Sequence, residues 1–183
     1  MPTRKTHPIN IAGLQRELPL FEVKPGLTIA ILNILGDTEL VHACAIALAK
    51  KLEKMDFDII VTAEAKSIPI AYALSVEMKK PYIVLRKTYK PYMGQALKTG
   101  TLSITTGKYQ NLFLDEKDLH LVENNRVIIL DDVISTGSTL QGMRKIMKKA
   151  GAKVVVEAAI LTEGEQAQWG QVVALGHLPI FTD

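Results

Sequence analysis

Residues 127–139 read Val-Ile-Ile-Leu-Asp-Asp-Val-Ile-Ser-Thr-Gly-Ser-Thr, and this stretch indicates both the fold and the chemistry of the chain. Four apolar, mostly β-branched residues predict a buried strand that ends in two adjacent carboxylates. A short turn with hydroxyl groups and a glycine follows, and a helical pattern begins behind it. A helix N-terminus attracts anions because its first N–H groups are unpaired and the macrodipole is positive there. We therefore predict a combined site, in which Asp131 and Asp132 bind a sugar diol and residues 135–139 bind a phosphate.

The composition of the chain is that of an ordinary globular protein. Its 183 residues, 48% of them hydrophobic, are enough to bury a sizeable core. The formal net charge of +3 is small and aromatic residues make up only 5%, so the sequence does not predict nucleic acid as a partner. Cys44 is the only cysteine, which excludes an internal disulfide and favours a cytoplasmic location. No apolar run reaches the length of a membrane span, so we expect no membrane association.

Strand-like and helix-like patterns alternate along the chain, which predicts an α/β fold with a parallel, Rossmann-like sheet and helices on both faces. Beside the acidic strand at 127–130, strands are predicted at 27–35, 58–63, 81–85 and 154–161. Helices are predicted at 68–80 and 138–150, and a third is predicted to begin at Thr38. One face of this third helix is apolar and consists of Leu40, Val41, Cys44, Leu48 and Leu52. Residues 99–114 alternate around a central Thr-Gly and predict a hairpin. Ligands of such sheets bind at the carboxyl ends of the strands, where the acidic pair lies.

An apolar strand that ends in acids also occurs in other sites, such as the Walker B strand of nucleotide-binding proteins. A Walker B strand works together with a G-x-x-x-x-G-K-[ST] segment, and the chain has no such segment. A G-x-G-x-x-G turn after a predicted strand is absent as well. The alternative that the residues alone leave open is an unrelated α/β site.

Residues 127–139 resemble the PRPP loop of type I phosphoribosyltransferases, where PRPP is 5-phosphoribosyl-1-pyrophosphate. The resemblance implies that Asp131 and Asp132 hold the ribose 2′- and 3′-hydroxyls. It implies that the 5′-phosphate is bound by Ser135, Thr136, Gly137, Ser138 and Thr139. It further implies one phosphoribosyltransferase domain over residues 1–183, with a small hood near 1–36 and a flexible β-hairpin loop near 88–114.

The segment Thr62-Ala63-Glu64-Ala65-Lys66-Ser67 is similar to the pyrophosphate loop of adenine phosphoribosyltransferases, whose pattern is Glu-Ala-Arg-Gly. Lys66 stands at the arginine position and Ser67 at the glycine position. Small residues let the backbone approach a ligand closely, and the resemblance implies pyrophosphate binding by Ala65, Lys66 and Ser67. Members of the family often have a non-proline cis peptide bond in this segment.

Arg86 and Lys87 close the predicted strand at 81–85 and are similar to a basic pair of adenine-type enzymes. Guanidinium and ammonium groups neutralise the charge of a pyrophosphate. The resemblance thus places Arg86, Lys87 and Lys90 in the pyrophosphate site, and the catalytic set that it implies is Asp131, Asp132, Lys66 and Arg86. The insertion after Lys87 is expected to close over PRPP. It lacks the Glu-Tyr-Gly element of adenine-type enzymes, and Thr106-Gly107-Lys108-Tyr109 lies in roughly that place.

The base-binding residues are the part of the resemblance that does not carry over. Residues 24–40 look like the hood of adenine phosphoribosyltransferases, but Thr28, Ile29 and Ala30 stand where that family has an aromatic-basic pair. Ser135 is small where hypoxanthine and guanine enzymes have an acid, which favours adenine. Orotate enzymes also have a small residue at this position.

The resemblance as a whole implies transfer of the 5-phosphoribosyl group from PRPP to a purine base, with adenine favoured. The products would be a nucleoside 5′-monophosphate and pyrophosphate, and the protein is expected to be a homodimer. Mg²⁺ is the implied cofactor, carried by PRPP and water without direct protein ligands. Two alternatives remain: a PRPP-sensing regulator without catalytic activity, and a phosphoribosyltransferase for xanthine, guanine or orotate. The charges of Lys66, Arg86 and Lys87 favour an enzyme over a sensor.

Overall fold

The computed structural model describes residues 4–102 and 109–182. The strands of this part are β1 (Thr6–Ile11), β2 (Leu14–Lys24), β3 (Leu27–Ala30), β4 (Ile59–Ala63), β5 (Tyr82–Leu85), β6 (Leu97–Leu102), β7 (Tyr109–Leu114), β8 (Arg126–Ile134), β9 (Lys153–Glu163), β10 (Val173–Leu178) and β11 (Ile180–Thr182). The α-helices are α1 (Thr38–Leu52), α2 (Ile68–Met78), α3 (Leu119–Val122) and α4 (Ser138–Lys149). Short 3-10 turns cover Pro91–Met93, Glu116–Asp118 and Gln166–Trp169.

A five-stranded parallel sheet forms the centre of the protein, with the strand order β10-β9-β8-β4-β5. Helices α1 and α2 pack on one face of this sheet and α4 packs on the other, so each face has its own apolar core. Every residue of β4 is buried, as expected of a strand that is covered on both faces. The predicted Rossmann-like sheet with helices on both faces is confirmed.

Helix α1 shows how the local sequence specifies an element. Its N-cap is Asp37, whose carboxylate accepts the Leu40 N–H at 3.1 Å. The predicted apolar face is buried, and Cys44 and Leu48 have no exposed surface. Ile46, on the other side of the same helix, is 48% exposed. The period of the apolar residues therefore selects the face that meets the sheet.

The contrast within α1 gives a prediction for stability. Leu48→Ala is expected to lower the free energy of unfolding by about 2–5 kcal/mol, because it leaves a cavity in a packed core. Ile46→Ala removes a side chain of similar size from the exposed face and is expected to cost less than about 1 kcal/mol. Urea unfolding followed by circular dichroism measures both. Equal losses for the two variants would contradict this packing of α1.

A four-stranded antiparallel sheet, in the order β1-β2-β3-β11, contains the three strands of the segment 1–36 that is predicted to be the hood. The sequence left residues 1–20 and 163–183 unassigned, and they supply most of these strands. The C-terminal segment serves both sheets, because β10 extends the parallel sheet and β11 pairs with β3. The ring of Phe181 on β11 meets the ring of His7 on β1 edge-on, 5.3 Å between centroids.

Two predicted strands end at clearly different residues in the structure, whereas the others agree to within two residues at each end. The predicted strand at 27–35 is wrong beyond Ala30, because the Asn33 side chain accepts the Leu35 N–H at 3.2 Å and the backbone turns. The acidic strand, predicted at 127–130, continues to Ile134. Strand β9 runs beside it and pairs with Asp131, Val133 and Ile134, which keeps the backbone extended after the acidic pair.

The predicted hairpin is present as the antiparallel pair β6 and β7. Its turn, at Thr106 and Gly107 with Lys108, lies outside the described residues. The base of the hairpin is tied to the end of β5, because Arg86 and Phe113 exchange two backbone hydrogen bonds of 2.9 and 2.8 Å. Within residues 4–102 and 109–182, no helix has the length and apolar character that crossing a bilayer requires.

Candidate active site

Asp131 and Asp132 lie on β8 just beyond the point where the neighbouring strand β4 stops pairing with it. Strand β4 pairs with β8 only as far as Leu130, whereas β9 accompanies β8 to Ile134. The backbone beside Asp131 and Asp132 is therefore open on the β4 side, at the carboxyl edge of the sheet. Both residues line a cavity at this edge, as predicted for a parallel sheet.

Two adjoining cavities lie at this edge. The larger, about 560 Å³, is lined by Lys66, Lys87, Gln110, Asp131, Val133, Ile134, Ser135, Thr136, Gly137, Ser138, Thr139 and Leu140. The smaller, about 240 Å³, is lined by Ala63, Glu64, Ala65, Lys66, Ser67, Lys87, Asp131, Asp132, Val133 and Thr139. The structure thus brings together the acidic pair, the whole of the predicted phosphate loop and the predicted pyrophosphate segment.

The predicted phosphate loop has the backbone that a helix N-terminus requires. Gly137 is the N-cap of α4 and has φ +72°, a left-handed conformation that residues with a side chain seldom adopt. A Cβ at this position would lie 3.0 Å from Cη2 of Trp169, so a side chain would also meet the indole ring. Only glycine satisfies both conditions here, and the start of α4 therefore faces the larger cavity without obstruction.

Lys66 connects the acidic pair to the hood. Its Nζ lies 3.2 Å from Oδ2 of Asp132, within ion-pair distance, and 3.3 Å from the carbonyl oxygen of Leu32. Asp132 is 6% exposed, and its Oδ2 has no hydrogen bond of good geometry within the described residues. A buried carboxylate requires a partner, so the ammonium of Lys66 stabilises Asp132 in the structure.

The other residues of the predicted pyrophosphate segment contribute backbone rather than side chains. Ser67 is 2% exposed. Its hydroxyl donates to the Ala63 carbonyl at 2.7 Å and accepts from Thr62 at 2.8 Å. The side chain at the glycine position of the family is thus used inside the fold. Only its backbone and that of Ala65 are left to contact a ligand, and the Glu64–Ala65 peptide bond is cis.

Arg86 and Lys87 differ in their place at the site. Glu64, at the end of β4, accepts from Arg86 Nε and from the Lys87 N–H, both at 2.5 Å. Burial opposes ionisation of Glu64, but these two donors outweigh it and hold the pKa of the carboxyl below its usual range. Lys87 lines both cavities, whereas Arg86 lines a separate one beside Asp115.

Lys90, like Arg86, is a predicted site residue that the structure leaves outside the lining of both cavities. It is exposed and precedes the 3-10 turn at Pro91–Met93. Its N–H bonds to the sulfur of Met93 at 3.3 Å.

Asp131 is the carboxylate whose ionisation the fold opposes. Burial, and then the negative charge of Asp132, raise the pKa of Asp131 above its usual range. The Asp132 N–H donates to its Oδ1 at 2.9 Å and Lys87 lies nearby, but these weaker effects do not cancel the increase. A cation or sugar hydroxyls that approach Asp131 would favour the ionised form.

This raised pKa predicts a pH-dependent gain in stability for Asp131→Asn. The folded protein binds the Asp131 proton more tightly than the unfolded chain, so stability is lost as the pH rises from the unfolded pKa through the folded one. The asparagine amide does not ionise, so the variant does not lose this stability as the pH rises. Each unit by which folding raises the pKa corresponds to about 1.4 kcal/mol in the free energy of unfolding. We expect the variant to melt at a higher temperature than the parent, by a margin that grows with pH. Scanning calorimetry without ligand measures the two melting temperatures. A difference between them that becomes smaller as the pH rises would contradict the raised pKa of Asp131.

Sequence reasoning missed three residues around this site. The sequence predicted no role for the Glu64 side chain, yet its carboxylate binds both Arg86 and Lys87. An acid at the end of one strand and a basic pair at the end of the neighbouring parallel strand could have indicated this contact. Glu163, at the end of β9, is 5% exposed and accepts a hydrogen bond from the Ser135 hydroxyl. Gln110, on β7, lines the larger cavity, and no pattern in the sequence indicated it.

Comparison with known proteins agrees with this geometry. The family model described as phosphoribosyl transferase domain matches residues 32–169. The adenine phosphoribosyltransferase of Thermosipho africanus is 32% identical over 151 residues, which are 80% of this chain and 83% of the relative. The hypoxanthine/guanine phosphoribosyltransferase of Methanococcus voltae is 35% identical over 118 residues, 63% of this chain and 59% of the relative.

The fold is shared with a solved structure. The crystal structure of adenine phosphoribosyltransferase from Thermoanaerobacter pseudethanolicus covers 94% of this chain and 95% of its own, with a TM-score of 0.66 and 20% identity. The chain therefore belongs to the phosphoribosyltransferase family and is similar to its adenine phosphoribosyltransferases, as residues 127–139 predicted.

Proposed function

We propose that this protein transfers the 5-phosphoribosyl group of PRPP to a purine base, with adenine favoured, in purine salvage. One observation carries the proposal. A single cavity of about 560 Å³ is lined by the carboxylate of Asp131, by the whole loop 135–139 at the start of α4, and by Lys66 and Lys87. Asp131 would bind the ribose diol of PRPP, the loop 135–139 its 5′-phosphate, and Lys66 and Lys87 its pyrophosphate.

The phosphoribosyl half of PRPP is held by β8 and the turn behind it. The 5′-phosphate accepts hydrogen bonds from backbone N–H groups at residues 135–139, where the dipole of α4 favours negative charge. The ribose hydroxyls donate to Asp131 and Asp132. The same carboxylates offset the positive charge that develops on the sugar when its bond to pyrophosphate loosens.

The pyrophosphate half lies over the segment after β4. The Ala65 and Ser67 backbone allows close approach, and Lys66 and Lys87 supply positive charge to the leaving group. Arg86 joins them when residues 88–114 close over the bound substrate, since its backbone is bonded to the base of that hairpin. Closure also excludes water, which would otherwise hydrolyse the activated sugar.

The donor set of the site fits Mg²⁺ bound together with PRPP. Hard cations prefer oxygen ligands, and Asp131 presents a carboxylate to the same cavity as the phosphate loop. Among the described residues, no group of three or more His, Cys, Asp or Glu side chains could hold a metal ion. PRPP and water would therefore supply most of its ligands. When bound, the ion neutralises charge on the pyrophosphate.

The choice of adenine rests on two supports. Ser135 is not an acid, and the relative that matches over more of this chain is named adenine phosphoribosyltransferase, whereas the one named hypoxanthine/guanine phosphoribosyltransferase matches over less of it. The test is an assay of pyrophosphate release from Mg²⁺–PRPP with adenine, guanine, hypoxanthine, xanthine or orotate. We expect the highest kcat/KM with adenine. Turnover with a different base alone would correct the specificity, and no turnover with any base would support the PRPP-sensing alternative.

We further propose a cytoplasmic homodimer that consists of one phosphoribosyltransferase domain per chain. Its interface would use the apolar side chains that α2 leaves exposed on one face, Tyr72 and Val76. Large apolar side chains grouped on one surface are typical of a protein contact. Sedimentation equilibrium of the parent and of a Tyr72→Glu variant tests this: the variant is expected to be monomeric.

A further inference from the structure

The end of β9 contacts the phosphate loop through a buried carboxylate that the proposed reaction does not use. Glu163 is 5% exposed, and its side chain accepts a hydrogen bond from the Ser135 hydroxyl. A serine hydroxyl has one proton to donate, so this bond commits that proton to Glu163 and not to a phosphate. Ser135 is thereby left with its backbone N–H as the donor for a ligand.

A second contact reaches the same loop from the same segment. The indole N–H of Trp169 donates to the carbonyl oxygen of Glu163 at 2.8 Å. The far edge of the ring lies against Gly137, since a Cβ built there would be 3.0 Å from Cη2. Glu163 is thus bonded through its carboxylate to one end of the loop and through its carbonyl to the ring that covers the loop's glycine.

We propose that Glu163 and Trp169 are positioning residues, which hold the loop 135–139 in the conformation that binds the 5′-phosphate. Neither residue lines the two cavities of the site, so neither is placed to touch the substrate. They act on the loop from outside, and a loop already held in its binding conformation loses less entropy when the phosphate binds. The inference rests on the proposed function, because it assumes that the loop binds a phosphorylated ribose.

The test is the affinity for ribose 5-phosphate, measured by isothermal titration calorimetry. Glu163→Ala is expected to raise Kd about tenfold, because the charge-assisted bond to Ser135 is lost. Glu163→Gln keeps an oxygen that can accept from the hydroxyl, and should stay within about threefold of the parent. Glu157→Ala is the matched control: it removes a carboxylate from the same strand, where Glu157 pairs with Arg144 of α4 and lines neither cavity of the site. Its Kd should not change.

A double-mutant cycle separates positioning from general destabilisation. If Glu163 acts through Ser135, then Ser135→Ala alone weakens binding, and adding Glu163→Ala weakens it no further. Trp169 is the only tryptophan in the chain, so its fluorescence should change when ribose 5-phosphate fills the loop, and the change should be smaller in Glu163→Ala.

Three results would overturn the inference: an unchanged Kd for Glu163→Ala, an equal loss for the Glu157→Ala control, or additive losses in the cycle. In each case the parent protein still binds ribose 5-phosphate and the proposed function stands. If the parent neither binds ribose 5-phosphate nor releases pyrophosphate from PRPP, both the inference and the proposed function fail.

Discussion

Replacing Asp131 by asparagine is expected to lower kcat by about 10²–10³-fold, the range seen when an enzyme loses one preorganised group that stabilises transition-state charge. Asp131 lines both cavities of the site and adjoins the phosphate loop. An amide has the shape of the carboxylate but cannot offset positive charge on the ribose. Initial rates of pyrophosphate release at saturating Mg²⁺–PRPP, with the base identified by the screen, measure the effect.

The control for this variant is Asp58→Asn, at the opposite end of β4. Asp58 binds Arg126 through its side chain at 2.8 and 3.0 Å, so the substitution also removes a charged contact, but far from the carboxyl edge. Its kcat should stay within about twofold of the parent, assayed below the melting temperature of both proteins. A rate for Asp131→Asn that matches this control would exclude Asp131 from the mechanism. The same substitution is expected to stabilise the unliganded protein at high pH, so comparing the melting temperatures of both proteins separates a loss of activity from unfolding.

The second large effect is expected for Lys66→Ala, which should lower kcat/KM for PRPP by about 10²-fold. Two losses combine in this variant. Asp132, with a side chain 9% exposed, loses the ammonium 3.2 Å away, although the Lys66 side chain is 47% exposed and solvent screens part of this attraction. The pyrophosphate also loses a positive charge in the bond-breaking step. Steady-state kinetics with varied PRPP measure the change.

Two further variants make the Lys66 result specific. Lys66→Arg keeps the charge and is expected to retain activity within about tenfold of the parent. Lys54→Ala removes an exposed lysine after α1 and should leave kcat/KM unchanged. Were Lys66→Ala to behave like Lys54→Ala, the pairing with Asp132 would have no part in substrate binding. An arginine variant as inactive as the alanine one would show that the shape of the lysine matters more than its charge.

The parallel sheet and its helices were predictable because each follows from a local period. Strand β4 is a short run that is apolar except for Thr62, and α1 repeats apolar residues on one face behind an aspartate cap. The strand predicted at 27–35 failed for a local reason of a different kind. The polar side chain of Asn33 bonds to the backbone and ends the strand, although its apolar neighbours Leu32 and Ile34 are buried.

The hood and the C-terminal segment could not be derived in this way. Strand β11 has three residues, Ile180–Thr182, and pairs with β3 near the other end of the chain. So short a run carries no periodic signal, and its position depends on a partner that is distant in sequence. Trp169 is a similar case, since its contact with Gly137 depends on the path of the chain after β9.

The sequence by itself determined the family and the place of the site. The acids, the glycine turn and the helix start are neighbours in the chain, so their order already predicts a diol site beside a phosphate site. Only the tertiary structure decided which polar side chains bind each other around the site. Glu64 binds Arg86, which is 22 residues away in the sequence, and Ser135 binds Glu163, which is 28 residues away. A pairing of this kind depends on which strands lie side by side and on how much water burial removes, and both are properties of the packed sheet rather than of any segment.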